Sequence, residues 1–246
     1  AVIRAQGRIV PVETHYADRP RGGDAPEPEA AKAAVAALHA HPEGDLLVFL
    51  PGGGEIRRCT AELQRLGLPP GVRIAPLYGA LTAEEQDDAV APCRPGERKI
   101  VLATDIAETS LTVEGVRIVI DAGLRRVPRF SPRTGLTRLE TVPVTLASAE
   151  QRRGRAGRIA PGVCYRLWTE EEHRRLAPFG EPELLASDLA SVALELAIWG
   201  APDPAALAWL DPPPDGAFRQ AMELLRQLGA VDERGIATEH GLRMAD

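Results

Sequence analysis

The chain has 246 residues, 44% hydrophobic and 26% charged, enough apolar material to bury the core of one large domain or two modest ones. Its formal net charge of −6 excludes a protein that grips nucleic acid through bulk positive charge, so any such site must be a local basic patch. No apolar run approaches the ~18 residues of a membrane-spanning helix, and no secretory leader opens the chain, so a cytoplasmic protein is expected.

Residues 7–16 read as an extended lead-in, and Pro11, which lacks an N–H, fits an edge position. The first residues already look like a strand without an initiator methionine, so a fragment of a longer protein is expected. Residues 18–28, rich in Pro, Gly and charge, are predicted as a loop, and the Ala-rich residues 29–41 as a helix. Asp45-Leu46-Leu47-Val48-Phe49-Leu50 is a short continuous apolar run, the mark of a strand buried on both faces. Residues 53–67 repeat with helical period, with Ile56, Leu63 and Leu66 on the apolar side. Further strands are predicted at 72–77, 99–103 and 116–121, and a helix at 82–90 that opens on a Thr82–Glu85 capping box. This alternation predicts an α/β fold, a parallel sheet with flanking helices. Residues 124–130 and 136–142 interrupt it as a projecting β-hairpin. A helix at 148–158 and a strand at 162–168 close a first domain, residues 1–168.

The texture changes after Thr169, and residues 169–246 are expected to form a second, small, mostly helical domain. Helices are predicted at 170–178, 186–199 and 218–228, the last with Ala221, Leu224, Leu225 and Leu228 as its apolar face. Asp211-Pro212-Pro213-Pro214 is a rigid break, and residues 229–238 read as a small hairpin. Helices followed by a two-stranded wing predict a winged-helix module. Cys59, Cys93 and Cys164 are odd in number and widely spaced, so small thiols are expected rather than a zinc site or a disulfide framework.

The strongest chemical signal is Gln151-Arg152-Arg153-Gly154-Arg155-Ala156-Gly157-Arg158. On a helix Gln151, Arg155 and Arg158 share one face and would present an amide and two fork-shaped cations to a single anion. Gly154 and Gly157, each worth about 1 kcal/mol of lost helix stability against Ala, would clear room for a ligand or another domain. The same segment also reads as a solvated Arg-rich helix capped by Ser148 and Gln151. The turn from Thr104 to Thr112 follows a buried strand, where ligands of open α/β sheets bind, and carries four hydroxyls and two carboxylates. A turn capped by Thr104 or Asp105 is the plainer alternative. Pro51-Gly52-Gly53-Gly54-Glu55 opens a helix and could cradle phosphate, although a tight strand-to-helix turn accounts for it and no P-loop Lys follows. Residues 125–138 form the most basic stretch, with Phe130 inside it; they suit a phosphate backbone or a stacked base, and equally a solvated hairpin or an interdomain contact. The five histidines show no metal spacing, and the common hydrolase motifs are missing, so the sequence does not read as a hydrolase complete in itself.

Three blocks, Leu47-Val48-Phe49-Leu50-Pro51-Gly52, the run from Ala103 to Thr112 and the run from Gln151 to Arg158, resemble in order and spacing motifs IV, V and VI of the DEAH/RHA family of superfamily 2 helicases. The run from Phe130 to Leu139, and Asp203-Pro204 followed by Trp209-Leu210-Asp211, resemble its bacterial HrpB type. That family has two RecA-like domains with ATP and Mg2+ in the cleft between them. The resemblance implies that this chain is the second RecA-like domain with a winged-helix domain, the C-terminal half of an ATP-dependent RNA helicase motor. The first domain, with the P-loop and the Asp-Glu-Ala-His box, is its implied partner and holds most of the ATP and Mg2+. Arg155 and Arg158 would be arginine fingers on the γ-phosphate, and Gln151 would position phosphate or attacking water. Ser110 would sense the γ-phosphate. Glu114 stands where many relatives have an Asp on the nucleotide sugar. Thr104 and Asp105 would face the backbone of single-stranded RNA or DNA, with Asp105 departing from a frequent Asn. Arg129 and Arg133 lie in the hairpin that would project toward nucleic acid. Weak base selectivity, 3′ to 5′ translocation and no turnover by this chain alone follow from the same resemblance. A non-catalytic RNA-binding or regulatory module and a DNA-directed translocase are the alternatives.

Overall fold

A computed structural model describes residues 10–20, 25–109, 111–131 and 134–245. The chain divides into two compact units, residues 1–126 with 141–179, and residues 127–140 with 180–246.

The first unit is built on a six-stranded sheet. Its strands are β1 (Val12–Tyr16), β2 (Asp45–Phe49), β3 (Val72–Leu77), β4 (Arg98–Ala103), β5 (Val116–Asp121) and β8 (Gly162–Arg166). All pair in parallel, in the order β1-β8-β5-β2-β4-β3. β1, preceded by Pro11, takes the edge. The helices are α1 (Glu27–Ala40), α2 (Gly53–Leu66), α3 (Ala83–Val90), the single turn α4 (Ile106–Thr109), α5 (Leu146–Gly154) and α6 (Glu170–Arg174). The arrangement is RecA-like.

The apolar run of β2 explains why the sheet sits in the middle. Leu46, Val48 and Leu50 point into a core shared with Ala30, Ala34, Ile56 and Leu63 of α1 and α2. Leu47 and Phe49 point the other way, into a core with Ala89, Ala107 and Ala156. Successive strand side chains alternate faces, so a central strand must be apolar throughout. On α2 the buried stripe is Ile56, Cys59 and Leu63, whereas Leu66, expected on that stripe, is 38% exposed because the chain turns away at Gly67. The Thr82 capping box forms as expected, with the Glu85 carboxylate accepting the Thr82 N–H at 2.8 Å.

β6 (Leu124–Ser131) and β7 (Leu136–Pro143) pair as a separate two-stranded sheet, the expected hairpin, and its outer part is counted with the second unit. That unit adds α7 (Glu183–Ala186), α8 (Ala190–Ile198), α9 (Asp215–Gln227) and α10 (Glu239–Ala245). Its core joins Leu189, Ala193 and Leu196 to Phe218, Ala221, Met222 and Leu225. α9 therefore buries positions i, i+3, i+4 and i+7 counted from Phe218. Leu224 and Leu228, expected on the apolar face, stand 43% and 49% exposed because the helix starts three residues earlier and Phe218 and Met222 set its phase. The hairpin expected at 229–238 reduces to one antiparallel bridge, Val231 with Ala237. The Asp232 carboxylate accepts the N–H groups of Arg234 and Ile236, each at 2.9 Å, and closes the loop too tightly for a longer ladder.

Candidate functional site

The two motif-bearing segments meet at the carboxyl ends of β4 and β5. α5 starts earlier than the sequence suggests. Thr145 is its N-cap and accepts the Ser148 N–H at 3.2 Å, so the expected Ser148–Gln151 capping box does not form. Released from capping, the Ser148 hydroxyl donates to the Glu108 carboxylate at 2.6 Å. The expected helix to 158 also stops short: α5 ends at Gly154 and residues 155–157 form a 3-10 turn. Gly157 explains the tightening. A Cβ there would lie 2.6 Å from Val12 and 2.9 Å from the Val10 carbonyl, so the glycine serves packing against β1 rather than room for a ligand. Gly154 faces open space.

The three residues expected to share one face are differently placed. Gln151 and Arg158 are exposed, and Arg155 is buried, with 7% of its surface exposed. Arg155 donates to the main-chain carbonyl of Leu111 at 2.9 Å and to that of Glu108. Arg158 donates to the Thr112 hydroxyl at 2.5 Å. Burial, and then repulsion from Arg158, push the Arg155 guanidinium below its ordinary pKa, with Glu108 opposing. Two cations held close enough to repel are an arrangement that an incoming anion stabilises.

Of the other candidates, Thr104 is half-buried and Asp105 exposed. Their main-chain carbonyls close the turn, accepting from Ala107 at 3.2 Å and Glu108 at 2.8 Å. Glu114 is exposed beside Gly115, whose φ of 80° makes the turn into β5. Arg129 pairs across the hairpin with Glu140 at 3.0 Å, both 52% exposed. Ser110 and Arg133 lie outside the described residues. The Gly-rich turn after β2 is a packing feature. A Cβ on Gly52 would lie 2.8 Å from the Arg126 guanidinium, and one on Gly53 would lie 3.1 Å from the Tyr78 ring. Glu55, on Arg126 at 3.1 Å, adds a negative charge that works against a phosphate cradle.

Sequence reasoning missed the residues that hold the site together. Arg152, 1% exposed, pairs with Glu108 at 3.1 Å and with the fully buried Asp121 at 2.9 Å. The signal was available: Ser148, Ala149, Arg152 and Ala156 lie at i, i+1, i+4 and i+8, a buried stripe in which one cation stands among small residues. Successive helical residues diverge by roughly 100°, so Arg152 points away from its neighbour Gln151.

The donor set is guanidinium, amide and hydroxyl. It suits phosphate oxygens and not Mg2+, which takes carboxylate and water oxygens.

Residues 29–160 match the helicase conserved C-terminal domain family. The chain belongs to that family. Its relatives put it with the DEAH/RHA helicases of the HrpB type. It is 45% identical over 245 residues to the ATP-dependent RNA helicase HrpB of Escherichia coli, covering 99% of this chain and 30% of that protein. It is 38% identical to an ATP-dependent RNA helicase HrpA homologue of Haemophilus influenzae, over 99% of this chain and 19% of the relative. It is 39% identical to the pre-mRNA-splicing factor ATP-dependent RNA helicase prp22 of Schizosaccharomyces pombe, over 100% of this chain and 21% of the relative. The chain thus spans less than a third of these relatives. Two crystal structures of E. coli HrpB superpose with TM-scores of 0.82 and 0.88 at 45% identity, covering 97% and 98% of this chain and 29% and 30% of theirs.

Proposed function

We propose that this chain is the second motor half of an ATP-dependent RNA helicase, and that it delivers two arginine fingers to ATP held mainly by a first RecA-like domain. The observation that carries this reading is the pair Arg155 and Arg158, anchored on the turn that follows β4. Phosphoryl transfer is catalysed by positioning and charge stabilisation, and guanidiniums on a separate domain act only when the cleft closes. Closure is then the step that moves nucleic acid. Arg158 points to solvent and is ready for phosphate, whereas Arg155 exchanges its carbonyl partners for phosphate oxygens on closure. Gln151 orients phosphate or water from the exposed side of α5, and Glu114 meets the nucleotide sugar. Ser110, two residues after Glu108 in the sequence, senses the γ-phosphate. Thr104, Asp105, Arg129 and Arg133 contact single-stranded RNA, and residues from 169 onward act as a winged-helix module.

The test is ATP hydrolysis by this chain alone, with and without single-stranded RNA, beside the full-length protein. No turnover by the chain and RNA-stimulated turnover by the full-length protein are expected. Turnover by the chain alone would mean a complete nucleotide site and would end the half-motor reading. Unwinding of matched RNA and DNA duplexes by the full-length protein separates an RNA helicase from a DNA-directed translocase.

A further inference from the structure

We infer that Arg152 is a positioning residue that ties the guanidinium pair to the turn after β4 and to the base of the hairpin, so that ATP turnover responds to nucleic acid. The inference rests on the motor reading above.

Arg152 sits where three strands end. Its Nε donates to Glu108 at 3.1 Å, in the turn after β4. One Nη donates to Asp121 at 2.9 Å, the last residue of β5, and to the Leu124 carbonyl at 3.2 Å, the first residue of β6. Its guanidinium carbon lies 4.8 Å over the Phe49 ring at the end of β2. Both carboxylates are themselves engaged elsewhere. Glu108 accepts from Ser148, and its main-chain carbonyl accepts from Arg155. Asp121 accepts the Gly123 N–H at 2.8 Å, which fixes the two-residue step into the hairpin.

One cation therefore joins the helix that leads into Arg155 and Arg158, the turn expected to face the nucleic-acid backbone, and the start of the hairpin. The guanidinium and Asp121 are shut off from solvent and Glu108 is 14% exposed, so little water can replace a lost partner and these elements are held to shift together. The planar fork is what permits it: an ammonium is a point charge and cannot hold Glu108, Asp121 and a carbonyl in those directions at once. Such a network becomes a coupling route only if both sites bias its arrangement, which is what the experiment measures.

The experiment compares Arg152→Lys and Glu108→Gln with the parent sequence in the full-length protein. ATP turnover is read with and without single-stranded RNA, ATP and RNA binding are read separately, and thermal melting reports folding. The expected result is retained binding and a fall of about tenfold in the ratio of RNA-stimulated to RNA-independent turnover, within the range of typical coupling energies. A merely structural role lowers both rates in parallel and leaves the ratio unchanged, which would overturn the inference. Should Arg152→Lys fail to fold, Glu108→Gln decides. It is isosteric and keeps acceptors for Ser148 and Arg152, and an unchanged ratio there overturns the inference alone. A parent protein without RNA-stimulated turnover removes the motor reading and the inference with it, and is recognised before any variant is made.

Discussion

The carboxyl ends of the central strands, around α5, and the hairpin are both rich in arginine, yet they use it in opposite ways. At the strand ends Arg152 is 1% exposed and held by two carboxylates, and Arg155 is buried on two carbonyls. At the hairpin Arg129 is half in water, against a Glu140 that is equally exposed. Where water can solvate either partner an ion pair defines little geometry, and where it cannot, the pair fixes the backbone around it. A basic segment in a sequence is thus two different things, and burial decides which.

The largest effect should come from the exposed end of the buried region. Arg158→Ala in the full-length protein is expected to keep ATP binding and to lose about 10³-fold or more in turnover, the range of an arginine finger. Arg129→Ala should change ATP turnover no more than a few-fold, since its partner is across the hairpin. Equal losses in steady-state assays of both variants would erase the contrast between the two regions.

Stability should sharpen it. Arg152→Met leaves Asp121, fully buried, and Glu108 without their shared cation, and should destabilise the sheet unit by about 3–5 kcal/mol. Removing the Arg129–Glu140 pair should change stability by about 0–1 kcal/mol. Denaturant midpoints measured on the same preparation check both. In the helical unit the same logic separates adjacent leucines of α9. Leu225→Ala opens a cavity in the core and should cost about 2–5 kcal/mol. Leu224→Ala, at 43% exposure, should stay within about 0.5 kcal/mol. A reversed order would mean that α9 turns Leu224 rather than Leu225 into the core.

The phase of α9 shows where the sequence was legible and where it was not. The alternation of apolar runs and helical periods is imposed by the pleat and the helical turn, so the sheet, the hairpin and the capping box at Thr82 could all be read in advance. What could not be read depends on which residue starts an element. Thr145 rather than Ser148 caps α5, and that three-residue shift frees Ser148 for Glu108 and turns Arg152 inward. The tightening at Arg155 arises from β1 lying against Gly157, a contact between residues far apart in the chain. Of the small hairpin expected at 229–238, the turn was visible in Asp232 and Gly235, but nothing local announced that a single bridge would suffice.

The smallest expected effect is a pH dependence beside the middle of α5, where the buried Arg166 joins the sheet to residues beyond it. Arg166 donates to Glu150 at 2.7 Å and to the Tyr16 hydroxyl at 2.7 Å, and lies 3.2 Å from the His173 Nε2. Burial, and next the Arg166 charge, lower the His173 pKa from its ordinary 6.5, against the opposing pull of Glu150 and Glu170. The unfolded chain therefore binds the proton more tightly than the folded one. The stability that neutral His173 contributes is complete above the unfolded value and is lost as pH falls through the folded value. Glu150 acts in a lower window. Burial pushes its carboxyl up, but hydrogen bonds from Arg166 and Arg153 outweigh that and leave it below its ordinary 4.5, so its contribution disappears only in stronger acid. Urea midpoints at about pH 7.5 and about pH 5.5 isolate the histidine. The parent chain should lose midpoint between them, and His173→Gln, which keeps a polar ring-sized group without the titration, should lose less. An identical loss in both proteins would show that Arg166 and His173 do not sense one another across this contact.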